Sequence, residues 1–246
     1  MTIRRALNFT GLIALAFAMQ GCNGFVWEPR QEAPAIAPDE ISDFRVLYRQ
    51  NCAGCHGADG RNGAALSLDN PLYLAIVDSV TLRRITAEGV PHTMMPAFAR
   101  KSGGMLTEKQ IDIIVSGIRS KWAKPGFASG ELLPAYASPV SGDVQRGAEV
   151  YHVYCASCHG NDGRGGPHGS SIVDEAYLAL VSDQSLRTTV IVGRPELGAP
   201  DWRGNVPGRA MSATEISDVV AWIASQRTSR PEPSKPNPTL VSEGHP

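Results

Sequence analysis

Several things are missing from this 246-residue chain, and each absence narrows its function. It lacks an excess of charge of either sign: 23 Lys and Arg stand against 24 Asp and Glu, for a formal net charge of −1. That balance excludes the basic surface by which nucleic-acid-binding proteins neutralise phosphates, and leaves room only for local basic patches. Strand-like alternation of useful length is absent. So is any persuasive grouping of catalytic acid, base and nucleophile. Beyond the N-terminal segment no run is apolar enough to span a bilayer. Cysteine is scarce, with five residues, yet four of them fall into two pairs of identical spacing. The remaining composition, 42% hydrophobic and 19% charged, is that of a globular protein able to bury a core. Length alone allows one large domain or two ordinary ones.

The N-terminus reads as an export signal. Arg4 and Arg5 precede an apolar run from Gly11 to Met19 that is too short to cross a membrane, and the run ends at Gln20-Gly21-Cys22. This ending resembles a bacterial lipoprotein signal, in which cleavage falls before the cysteine and the new N-terminus is acylated. Met19 stands where leucine is usual. The alternative is an ordinary signal peptide with an incidental Cys22; an odd thiol in an exported chain favours lipidation. The expectation is a signal peptide over 1–21 and a lipid-anchored spacer over 22–40, containing Pro29, Pro34 and Pro38. The mature protein would lie on the periplasmic face of a bacterial membrane.

Self-comparison shows one unit written twice. Cys52-Ala-Gly-Cys55-His56-Gly57 returns as Cys155-Ala-Ser-Cys158-His159-Gly160 at an offset of 103. Tyr73-Leu74-Ala75 returns as Tyr177-Leu178-Ala179 at 104, and the amphipathic run Leu106 to Arg119 returns as Met211 to Ala224 at 105. Three ordered matches with so little drift define an internal repeat. Between the copies, residues 123–142 are rich in Pro, Gly, Ser and Ala and read as a linker. Residues 228–246, with five prolines, read as a disordered tail. The repeats themselves occupy 41–122 and 143–227.

Both ends of each repeat are patterned as helices. Phe44, Leu47 and Tyr48 fall at helical spacing before the first cysteine pair; Asp143 can cap a helix carrying Val150, Tyr151 and Tyr154 before the second. Thr107 leads Ile111, Ile114, Val115 and Ile118. Ser212 leads Ile216, Val219, Val220 and Ile223, with Glu215 placed to close a capping box. The fold class expected is all-α.

Cys-x-x-Cys-His is the spacing that attaches c-type haem: two thiols add across the vinyl groups and the adjacent imidazole reaches iron. A zinc ribbon could draw four thiolates from two such pairs, but here a His follows each pair and a whole domain separates them. A thioredoxin-like pair would lie beside a βαβ pattern, which is absent. Two covalently bound haems are therefore expected, on Cys52, Cys55 and His56 and on Cys155, Cys158 and His159.

On these motifs each repeat resembles a class I cytochrome c domain, and the likeness covers most of the chain outside the linkers. It implies two tandem class I domains, with each motif His as proximal iron ligand and a later Met as the sixth. In the first repeat Met94-Met95-Pro96 fits, with Met95 favoured by register and Met94 as alternate. In the second the same step lands on Ala199-Pro200. Met211, the only Met of that copy and aligned with the packing position Leu106, is one candidate ligand; water or an open site are the alternatives. The family also draws a backbone carbonyl from a Pro in the loop after the motif to hold the proximal imidazole, which points to Pro167 and its counterpart Ala64. Trp202 and Arg203 are candidates to pack on or bond a haem propionate. Finally, the family's first and last helices cross through a small residue and a ring. Gly147 and Trp222 supply these in the second copy, Phe44 and Gly117 in the first, so the partners have exchanged helices.

The implied function is single-electron transfer between membrane or periplasmic redox partners, with no enzymatic step. Two alternatives stay open. One is a dihaem peroxidase-like enzyme or small-gas sensor using an open second haem; the other is an electron-entry subunit of a larger respiratory complex.

Overall fold

The computed structural model describes residues 36–228; the expected signal peptide, Cys22, most of the spacer and residues 229–246 lie outside them. In the first repeat, Asp43 caps α1 (Phe44–Asn51), which runs into the single turn α2 (Ala53–His56). Asn70 caps α3 (Pro71–Ile76), whose proline occupies the first turn where no amide partner is lost, and Asp78 caps α4 (Ser79–Glu88). Thr107 and Gln110 form a full capping box at the start of α5 (Glu108–Trp122). The second repeat follows the same order: α6 (Val144–Tyr154), α7 (Ala156–His159), α8 (Glu175–Leu180), α9 (Asp183–Val192) and α10 (Ala213–Ser225). Its caps are Asp143, Asp174, Ser182 and the Ser212–Glu215 box. Among the described residues there is no strand, only isolated bridges. The all-α fold of two tandem cytochrome c domains is what the caps and stripes lead to.

The helix crossing carries each domain. In the first, a Cβ placed on Gly117 of α5 would lie inside the Phe44 ring of α1. In the second, Gly147 of α6 approaches the Asp218 backbone and the Trp222 side chain of α10. Small and large residues have thus exchanged helices, as the offsets imply, and volume at the crossing is kept. Trp122 was not foreseen: it packs edge-on to Tyr48, ring centroids 5.1 Å apart, where Trp222 stacks on Tyr151 at 4.2 Å. Tyr48 and Tyr151 then donate their hydroxyls to the carbonyls of Gly57 and Gly160, tying the first helix to the residue after each motif.

A second shared device closes each short helix. Arg119 donates to the carbonyls of Leu74 and Val77 at the end of α3, and Arg227 to those of Leu178 and Val181 at the end of α8. By alignment Arg119 falls on Ala224, so the second arginine has moved one helical turn and still reaches the equivalent pair.

The described residues from Pro38 onward form one compact unit containing both repeats. The segment between the repeats is docked. Arg187, 2% exposed, donates to the carbonyls of Ala135 and Tyr136, and Glu131 pairs with Arg203 at 2.8 Å. The end of the expected spacer is docked too, since Gln110 donates to Pro38 and Ile41.

Gly147 generates a direct test. Gly147→Ala drives a methyl group into the α10 backbone, which cannot swing away like a side chain end, and is expected to cost about 1–3 kcal/mol. Thermal denaturation of holoprotein should show a clearly lowered midpoint; an unchanged midpoint would contradict the crossing.

Candidate haem-attachment sites

Each motif occupies one helical turn. Cys52 is the residue before α2, and its carbonyl accepts from the amides of Cys55 at 3.2 Å and His56 at 3.0 Å. Residues three and four apart share a helix face, so both thiols and the imidazole leave α2 on one side. The second motif repeats this at 3.1 and 3.0 Å, from Cys158 and His159 to Cys155. All four cysteines are free thiols. Burial and the neighbouring thiol push Cys52 and Cys155 up to about 12, so both are kept as thiols, not thiolates, at neutral pH.

Each imidazole is held from behind. His56 Nδ1 lies 2.7 Å from the carbonyl of Leu66, and His159 Nδ1 lies 2.7 Å from that of Ser170. A carbonyl only accepts, so Nδ1 carries the proton and Nε2 keeps its lone pair. Burial, chiefly, holds His56 below its ordinary pKa and so keeps it neutral. Two free thiols beside a neutral imidazole with a free Nε2 form a donor set that suits covalently attached haem.

The acceptors are not the expected ones. Pro167 sits at the exposed tip of a tight turn, closed by the Gly166 amide donating to Gly169 at 2.9 Å, and it is the returning limb that brings Ser170 under His159. In the first repeat the Ala65 amide donates to Cys55 at 2.9 Å. The Ala64 carbonyl belongs to the same trans peptide and therefore points away from α2. Leu66 and Ser170 match at an offset of 104, the step already seen at Tyr73 and Tyr177, and that was the signal available. Gly169 was also missed. A Cβ there would stand 2.7 Å from His159 Nδ1, so only glycine lets the loop approach the ring.

The loop expected to carry the sixth ligand shows where the repeats differ. In the first, the Val90 amide donates to the Met95 carbonyl at 3.0 Å; Met95 is half-buried and Met94 is 69% exposed. In the second, Arg194 and Ala199 exchange backbone bonds of 2.9 and 3.0 Å. Gly89 and Gly193, both at positive φ, open the two loops against equivalent carbonyls, Met95 and Ala199. Ala199 thus occupies the place of Met95. Met211 is 3% exposed, and its amide donates to Trp202 as Leu106 donates to Phe98. His168 is exposed in the Pro167 turn. Trp202 is buried, and Arg203 lies 4.5 Å over its ring while paired to Asp201 and Glu131.

Fold and donor set together define an electron-transfer cytochrome of the c type, a class in which haem is attached covalently through thioether bonds to its vinyl groups and its iron is ligated by the motif histidine. The comparisons with known proteins agree. The model of the family described as cytochrome c oxidase, cbb3-type, subunit III matches residues 39–116 and again 142–223, and the chain belongs to that family. The chain is 23% identical over 228 residues to the cytochrome bc1 complex cytochrome c subunit of Mycobacterium tuberculosis, covering 90% of this chain and 77% of that one. It is 28% identical over 132 residues to the cbb3-type cytochrome c oxidase subunit CcoP of Azospirillum, covering 49% and 40%. Among solved structures, a chain of the Kuenenia stuttgartiensis reducing HAO-like protein complex aligns over 76% of this chain and 99% of its own, with 17% identity and TM-score 0.45. Among the described residues no helix is long and apolar enough to cross a membrane.

Gly169→Ala tests the cradle behind His159. The added methyl group displaces the ring from Ser170 and is expected to lower haem loading or raise a high-spin component in the optical spectrum. A spectrum and loading identical to wild type would show that this approach is not needed.

Proposed function

We propose that the chain is a dihaem electron relay, lipid-anchored on the periplasmic face of a bacterial membrane, passing single electrons to and from a membrane respiratory complex. The observation that carries this reading is the duplicated site: two motif turns, each with free thiols and an imidazole whose Nδ1 is committed to a backbone carbonyl. Haem iron so bound supplies a reversible one-electron couple, and a thioether ligand favours its reduced state.

Cys52, Cys55 and His56 would hold the first haem, with Met95 as sixth ligand; Cys155, Cys158 and His159 would hold the second. The chain's own part is positional. Leu66 and Ser170 fix the tautomer and plane of each imidazole, so Nε2 is presented without a proton transfer. Arg119 and Arg227 lock the short helices beside each site. No acid or base is recruited, and the reading is of a carrier, not an enzyme. The respiratory partner is supported by the relatives, which are named as subunits of bc1 and cbb3 complexes.

A second reading has one observation in its favour. With Ala199 in the place of Met95 and Met211 packed where Leu106 packs, the second haem's sixth position is left to an external ligand such as a small gas or peroxide. The two readings share the same protein and separate spectroscopically.

Haem content by mass and the optical spectrum of purified protein form the test. Two covalent haems per chain are expected, with a Met-to-iron band near the red end that Met95→Ala abolishes. Met211→Leu should leave the spectrum unchanged, and carbon monoxide should bind the reduced second haem. One haem per chain refutes the relay. Loss of a low-spin component in Met211→Leu assigns Met211 as ligand and removes the open site.

The anchor is tested separately. Cys22→Ser should move the protein from the membrane fraction to the soluble fraction and leave no acyl mass on its N-terminus. A variant that stays membrane-bound refutes the lipid anchor.

A further inference from the structure

The two domains meet through a seam built from the parts that matter to each site. Arg194 and Glu196 lie in the loop that ends at Ala199, and their side chains pair at 2.5 Å while only 17% and 12% exposed. Both also reach into the first domain. Arg194 Nη2 donates to the Gly63 carbonyl at 3.1 Å, and Glu196 Oε1 accepts from the Ser67 hydroxyl at 2.8 Å. Asn70, which caps α3, donates to the Val192 carbonyl at the end of α9 at 3.3 Å. The residues so gripped, 63 to 70, flank Leu66, whose carbonyl holds His56.

The seam runs one way. At an offset of 104 the first repeat has Val90 and His92 in place of Arg194 and Glu196, so the first domain cannot make the reciprocal contact. In the second repeat the counterpart of Ser67 is Ser171, which instead donates to Gly163 within its own domain.

We propose that Arg194 and Glu196 are a positioning pair that couples the two sites: they fix the loop behind His56, and by neutralising each other they keep either charge from shifting the redox potential of the first haem. The inference rests on the dihaem reading. A paired Arg and Glu impose little net field on iron, but either one alone, largely shielded from solvent, imposes a substantial one. Positive charge nearby disfavours the ferric state; negative charge favours it. Loss of one electron from ferrous iron adds one positive charge to the site, which is what the unpaired residue opposes or assists.

The test is potentiometric titration of the holoprotein as wild type, Glu196→Gln, Arg194→Gln and the double variant. Glu196→Gln leaves Arg194 unpaired and should raise the first haem's midpoint; Arg194→Gln leaves Glu196 unpaired and should lower it. Each shift is expected at about three- to tenfold in the ferric-to-ferrous equilibrium, larger at low salt. The double variant should return close to wild type. Hydrogen exchange over residues 63–70 reads the positioning role and should quicken most in the double variant, which retains neither charge to grip the loop. Midpoint shifts of the same sign in both single variants indicate a generally loosened loop and overturn the proposal, as does no shift in either. Haem content measured on the same samples separates this from the relay: a single haem defeats the dihaem reading whatever the shifts.

Discussion

Everything at these sites depends on where one backbone carbonyl points. The bond from His56 Nδ1 to Leu66, and its counterpart from His159 to Ser170, decides which imidazole nitrogen keeps a lone pair and in which direction it faces. A side-chain acceptor could rotate; a carbonyl in a packed loop cannot. The cost is that the loop itself must be held. In the first domain it is pinned by the Ala65 amide to α2 and by the second domain's Arg194 and Glu196; in the second, by the tight turn around Pro167 and by a glycine that lets the chain press against the ring. Two solutions to one geometric demand stand side by side in a single chain.

That demand explains why the repeats have diverged in side chains while keeping their frame. The helix crossing needs a fixed total volume, and Phe44 with Gly117 supplies it as well as Gly147 with Trp222. The short helices need their final carbonyls satisfied, and Arg119 and Arg227 manage this from positions a helical turn apart. Neither exchange disturbs the motif turn. By contrast, Met95 and Ala199 occupy one place in the same loop and differ in what they can offer to iron, so divergence there changes chemistry and not packing.

The sequence made helices, caps and crossings legible because each is written in side chains at regular spacing. Thr107, Asp143 and Ser212 all cap as their patterns imply, and the exchanged Phe44 and Gly117 follow from subtraction alone. What stayed hidden is written in the backbone or in pairs distant along the chain. Pro167 is the partner that the family resemblance points to, whereas Leu66 and Ser170 act through a carbonyl that every residue possesses. Trp122 was hidden by register, since the repeat alignment directs attention to Gly117. Arg194 and Glu196 read as two ordinary loop charges until the fold places them against Gly63 and Ser67.

The one-way seam follows from that divergence. In the first repeat the Val90 amide donates to the Met95 carbonyl and the Met95 amide to the Thr93 hydroxyl, so the loop closes on its own residues. In the second repeat Ala199 stands at the place of Met95, and the same loop carries Arg194 and Glu196. Arg194 and Glu196 grip the neighbouring domain behind His56. Such a contact has no counterpart in the first copy, because Val90 and His92 stand where the second copy has Arg194 and Glu196 and offer no salt-bridged pair to reach across.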